Sequence, residues 1–217
     1  MYTFRNRRPG RATAIGTFVA LTALTAQLGV GAANADDDGD DELTRITFDE
    51  RPSQPVNGLR VQGVRFGFRV DGAPSRDARF NAFGPGDTRF ISDPSLEGDA
   101  AGVLTLRFRE ETDVLGFGVA LSCFDCVLRP GVTVRLFDDD GDLVRVARLT
   151  TRPLVSFSEA RFRFEGDDVA RAVLHFNHRR ADRFVIDNLV FEGDDEGSEH
   201  DDVVVDRSAL RAAGWDR

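Results

Sequence analysis

Between residues 45 and 191, apolar side chains recur at every second position in short runs divided by Gly, Pro, Asp and Asn. A period of two puts the apolar residues on one face of a strand and their polar neighbours on the other. In Val132-Thr133-Val134-Arg135-Leu136-Phe137, Val and Leu share a face opposite Thr and Arg, and Arg161-Phe162-Arg163-Phe164 repeats the pattern. Runs at 45–50, 59–70, 78–83, 89–91, 103–108 and 114–121 read as strands. So do runs at 132–137, 143–149, 155–164, 170–176 and 184–191, all rich in the Val, Phe, Thr and Ile that strands favour. About eleven short strands with turn residues between them predict an all-β sandwich or barrel.

The punctuation sharpens this picture. Asp138-Asp139-Asp140-Gly141-Asp142 separates two alternating runs. It reads as a hairpin turn, with Gly supplying the positive φ such turns need. The stretch 81–101, rich in Gly, Pro and Asp, reads as the longest irregular loop. Ahead of the strands, residues 1–11 are positively charged and 12–35 carry no charge, ending in Ala33-Asn34-Ala35. That order predicts a secretory signal over 1–35, cleaved before Asp36, so that no stable membrane insertion remains. An acidic lead-in (36–44), a β domain (45–192) and an acidic linker and tail (193–217) complete the expected organisation.

Composition changes the picture in two places. The chain has 28 basic and 37 acidic residues. Arg5, Arg7, Arg8 and Arg11 lie in the leader, leaving 24 basic against 37 acidic residues in the rest. Such a balance gives no general attraction for phosphate backbones or anionic membranes, and the expectation is no nucleic-acid partner. All the basic residues are Arg, so Schiff-base chemistry and a lysine base are excluded. Phe occurs 18 times, while the single Tyr is Tyr2 and the single Trp is Trp215. The β domain therefore lacks the two aromatic residues that best combine an apolar face with a wet end.

The domain opens with Ile46-Thr47-Phe48-Asp49-Glu50 and closes with Phe184-Val185-Ile186-Asp187-Asn188-Leu189-Val190-Phe191. Inside it, the run 102–108 precedes Gly116-Phe117-Gly118-Val119. These motifs resemble those of exported bacterial jelly-roll domains similar to carbohydrate-binding modules, including secreted domains of PEP-CTERM-type proteins, over 45–192. The chain ends Gly214-Trp215-Asp216-Arg217, without the sorting signal of the latter group. The resemblance implies an antiparallel jelly-roll β-sandwich and a non-catalytic module. Its partner would be a glycan or an envelope or extracellular protein, in the periplasm or outside the cell. It also implies one structural calcium ion between Asp49 and Asp187, with Glu50 and Glu97 as further ligands. Calcium takes about six to eight oxygens, and a divalent ion relieves the repulsion between neighbouring carboxylates.

Cys123-Phe124-Asp125-Cys126 is open to three readings: a redox pair, half a zinc site, or a local disulfide. No helix follows it, as thioredoxin-type chemistry requires. His175 and His178 do not have zinc-finger spacing. An oxidising compartment makes a disulfide the expectation. For catalysis, Glu110 and Glu111 would point to opposite faces of a strand, and no nucleophile elbow or His-Glu-x-x-His motif occurs. The chain reads as a non-enzyme. The competing reading is a secreted metal-dependent hydrolase that uses its acidic residues on polysaccharide. A surface Phe patch beside a groove would favour binding, and three convergent carboxylates or histidines in a pocket around an open metal position would favour catalysis.

Overall fold

The computed structural model describes residues 43–192. The expected leader, nearly all of the acidic lead-in, and the linker and tail lie outside the described residues. Every regular element among the described residues is a strand. The order is β1 (Leu43–Ile46), β2 (Gln54–Pro55), β3 (Arg60–Val61), β4 (Val64–Val70), β5 (Ala73–Pro74) and β6 (Arg79–Ala82). Then come β7 (Ser95–Asp99), β8 (Val103–Leu121), β9 (Leu128–Phe137), β10 (Leu143–Leu154), β11 (Phe157–Phe176) and β12 (Arg183–Glu192). All pairings are antiparallel.

Two strands are longer than their alternation suggests. The runs 103–108 and 114–121 belong to the single strand β8, and 155–164 and 170–176 fall largely within β11. Both strands cross from one layer of the sandwich to the other. The first half of β8 pairs with β4 and the last third of β11, which in turn pairs with β9. The second half of β8 pairs with the start of β11 and with β12. Register shifts between Glu165 and Arg171 mark the bend, as bulges do where a strand changes sheets. The first sheet thus runs β4–β8–β11–β9–β10. The second runs β11–β8–β12–β7–β6–β2, with β1 beside the end of β12. The result is the all-β architecture that the alternation predicted, in the antiparallel jelly-roll sandwich form that the resemblance implied. The run 89–91 forms no strand, and 59–70 is a hairpin turning at Gln62 (φ 43°) and Gly63 (φ 78°). Gly141 (φ 86°) sits in the Asp138–Asp142 turn, as expected.

Phenylalanine fills the space between the layers. Phe184 of the second sheet stacks on Phe176 of the first, with centroids 3.9 Å apart. It also meets Phe68 at 5.8 Å, and Phe108 meets Phe191 at 5.4 Å. Phe48, Phe66 and Phe80 close another part of the core in edge-to-face contacts. Each fully buried ring contributes about 1.5–3 kcal/mol, so this layer is the main source of stability.

Candidate functional site: the outer faces of the sandwich

The inward positions of the first sheet are Phe66, Phe68, Leu104, Leu106, Ala172 and Leu174, all buried. Alternation therefore turns the odd-numbered neighbours outward. Arg65, Arg107 and Arg171 lie opposite one another on three adjacent strands, and Phe137 of β9 completes the row. Two residues along lies a row of small side chains, Gly67, Thr105 and Val173, which continues through Arg135 to Val146. Beyond it, Arg69, Val103, His175, Thr133 and Arg148 form a third row. Among the described residues, no outward position of these strand segments is Asp or Glu. A Cβ built on Gly67 would meet Thr105 only at ordinary contact distance, so this part of the middle row is an open trough between two basic edges.

Arg171 is the most constrained side chain of the face. Its guanidinium lies over the Phe137 ring, 4.3 Å from the centroid, and its buried Nε has no hydrogen-bond partner. His175 has its pKa held below the ordinary value of 6.5, first by burial and then by the charge of Arg135. The ion pairs of Arg163 with Glu165, and of Arg183 with Asp77 and Glu97, lie away from this face.

The outer face of the second sheet is covered. The loop 84–94 lies across it, with Ile91 packed on Ala120 and Val185. Ser92 N–H donates to Asp187 at 2.7 Å, and Phe90 N–H and Thr88 Oγ1 donate to Glu159 at 3.3 and 2.9 Å. Asp93 accepts the N–H groups of Gly84 and Gly86, so the loop is also tied to itself. Gly118 permits the approach, because a Cβ there would stand 2.0 Å from the Phe90 carbonyl oxygen. Burial pushes the Asp187 carboxyl up to about 7, against the lowering pull of its backbone N–H donors and of Arg45, and Glu50 adds to the rise.

The four residues expected around calcium are placed differently from one another. Asp187 is buried, 1% exposed, and Glu50 lies near enough for its charge to act on it. Asp49 is exposed and accepts from Thr47 Oγ1 at 2.6 Å. Glu97 is engaged by Arg183 at 2.9 Å. Arg45 donates to Asn188 Oδ1 and already brings a positive charge to the Asp187 end. Among the described residues, no three His, Cys, Asp or Glu side chains gather as a metal would require. Of the four, Glu50 is the one whose charge acts on Asp187.

Cys123 and Cys126 form a disulfide. It pins a loop that carries Phe124, 78% exposed, and an Asp125 N–H bond to the Val155 carbonyl ties that loop to the β10–β11 turn. Val155 is 73% exposed and holds a φ of 42°, a region that β-branched residues avoid. Alongside lies an open groove of about 600 Å³ lined by Val127, Arg129, Thr150, Arg152 and Pro153. Glu111, one of the two neighbouring glutamates, accepts the Asp139 N–H and so braces the hairpin turn.

The arginine rows were absent from the residues singled out in the sequence. Their only trace there is arginine at outward positions of the alternating runs; the register that aligns them is a tertiary fact.

No family model matches the sequence, and no curated protein matches it. Solved structures do resemble the fold weakly. A family 29 carbohydrate-binding module aligns at 12% identity over 70% of this chain and 88% of its own, with a TM-score of 0.36. A second, from Piromyces equi, aligns at 13% identity over 73% of this chain and 95% of its own, with a TM-score of 0.35. Likeness at that level brings no ligand with it.

Proposed function

We propose that the protein is an exported, non-catalytic β-sandwich module that binds a glycan chain across the outer face of its first sheet. The observation that carries this reading is the bare trough Gly67–Thr105–Val173, edged by basic side chains while the opposite outer face is covered. A trough with hydroxyl and guanidinium donors at its edges suits a hydroxyl-rich chain, without the stacking residues the domain lacks. The disulfide agrees with an oxidising, exported setting in the periplasm or beyond. Retention on immobilised polysaccharides, with reducing-sugar release assayed in parallel, tests it. Release of sugar would favour the hydrolase reading instead.

Calcium belongs to this proposal as a structural ion. Asp187 and Glu50 would hold it, and it would neutralise two neighbouring carboxylates. A melt of the full chain in calcium and in chelator checks this; a shift that Asp187→Ala abolishes supports it, and identical melts remove it.

The exposed Phe124 and Val155 favour a second contact, with an envelope or extracellular protein at the disulfide loop. Phe124→Ser would then lose that partner while glycan binding stays.

A further inference from the structure

We infer that the ligand class is a polyanionic glycan, a polysaccharide with a carboxylate or sulfate on successive sugars, running across the strands along the line Arg65–Arg107–Arg171. This rests on the reading above that the outer face of the first sheet is the binding face. Neighbouring strands lie about 4.8 Å apart, so this line presents one guanidinium per strand at a regular step. Like charges directly opposite each other weaken a sheet. Here Arg60, Arg65, Arg107 and Arg171 follow one another across four strands. A bound row of anions converts that repulsion into attraction.

Three further features point the same way. Every cation on the line is arginine, whose planar fork binds carboxylate and sulfate bidentately, where a lysine would offer only a point charge. Arg171 has its guanidinium over the Phe137 ring, 4.3 Å from the centroid, so it is pre-positioned. The trough beside the line holds Thr105 and Val173, a surface for the hydroxyls and ring faces of sugars. A nucleic acid fits less well. The face offers no open aromatic platform for bases, since the one ring, Phe137, lies beneath Arg171.

The test is affinity electrophoresis of the full chain through gels containing polygalacturonate, dextran sulfate or neutral dextran, with single-stranded DNA as a fourth arm. Retention by polygalacturonate assigns the carboxylate form, and retention by dextran sulfate alone assigns the sulfate form. Retention by either should fall with added salt. The Arg65→Gln/Arg107→Gln double variant should lose affinity by about tenfold or more, as expected for two charge-assisted pairs. Arg161→Gln, on the other outer face, should not. A melt no lower than that of the unaltered chain shows that the double variant is folded. Equal retention by neutral dextran, an unchanged double variant, or tighter binding of DNA overturns the inference. If neutral glycans alone are retained, the polyanion inference falls and the glycan-binding face stands. If no glycan is retained, both fall.

Discussion

On the outer face of the second sheet, Glu159 and Asp187 accept backbone or hydroxyl hydrogens from the loop 84–94. On the outer face of the first sheet, the guanidinium groups oppose one another across the strands and no carboxylate stands among them. The same alternating strands, β8 and β11, supply both faces. The difference lies in what occupies the outward positions: glycine, alanine and valine where the loop settles, arginine where nothing covers the strand. The covered face has carboxylates met by the loop's donors, and the bare face has arginines with no carboxylate in the same rows.

The largest effect should come from breaking the covered face. In Gly118→Ala the new methyl meets the Phe90 carbonyl at 2.0 Å, and backbone must move. The loop then lifts and leaves Asp187 and Glu159 without their donors. Overpacking plus lost hydrogen bonds should cost on the order of 5 kcal/mol in chemical denaturation. A variant as stable as the native chain would show that the loop is not seated on Gly118.

The buried carboxyl of that face gives a pH dependence, measured in chelator. Asp187 has its pKa raised from 3.8 to about 7. A raised folded pKa means that the folded state holds its proton more tightly than the unfolded state. The resulting stability is fully present below pH 3.8, declines as pH rises through 7, and is constant above that. The group's share of this change is up to about 4 kcal/mol. Asp187→Asn should flatten this part of the profile. An unchanged profile would mean that Asp187 ionises in the fold at little cost.

The bare face should respond with opposite signs in two measurements. Arg107→Gln removes the centre of a like-charge row, so the free protein should gain about 0.5 kcal/mol. Polyanion binding should weaken in the same variant. Loss of stability together with loss of binding would make Arg107 a structural residue and dissolve the contrast between the faces.

Much of the sandwich was legible because alternation directly encodes which side of a strand is buried, and Phe, Val and Leu mark that side from Phe66 to Phe191. The continuity of β8 was not. Glu110-Glu111-Thr112-Asp113 reads as a break, yet the strand passes through it because both of its halves have partners. Asp187 stood out through the resemblance alone, as a calcium ligand, and its hydrogen bond to a loop 95 residues away was not legible. The acidic net charge concealed the arginine face altogether. Net charge sums over the chain, whereas Arg65, Arg107 and Arg171 meet only through strand register.

The smallest expected effect belongs to His175, in the row between Arg69 and Arg148. Its folded pKa lies below 6.5, with burial the larger cause and Arg135 the next. At neutral pH it is uncharged, and as pH falls through that depressed value it adds one positive charge to the face. In the free protein the sign is unfavourable: the unfolded chain takes the proton first, so stability is lost as pH falls below about 6.5. A polyanion laid on the face offsets the cost by favouring the charged ring, so its affinity should rise about twofold to threefold between pH 7.5 and 5. Dextran sulfate is the probe to use, because its charge does not change in that window. His175→Gln should abolish the rise while leaving affinity at pH 7.5 unaltered. A rise that persists in the variant would assign the proton to another group and place the bound chain away from the third row.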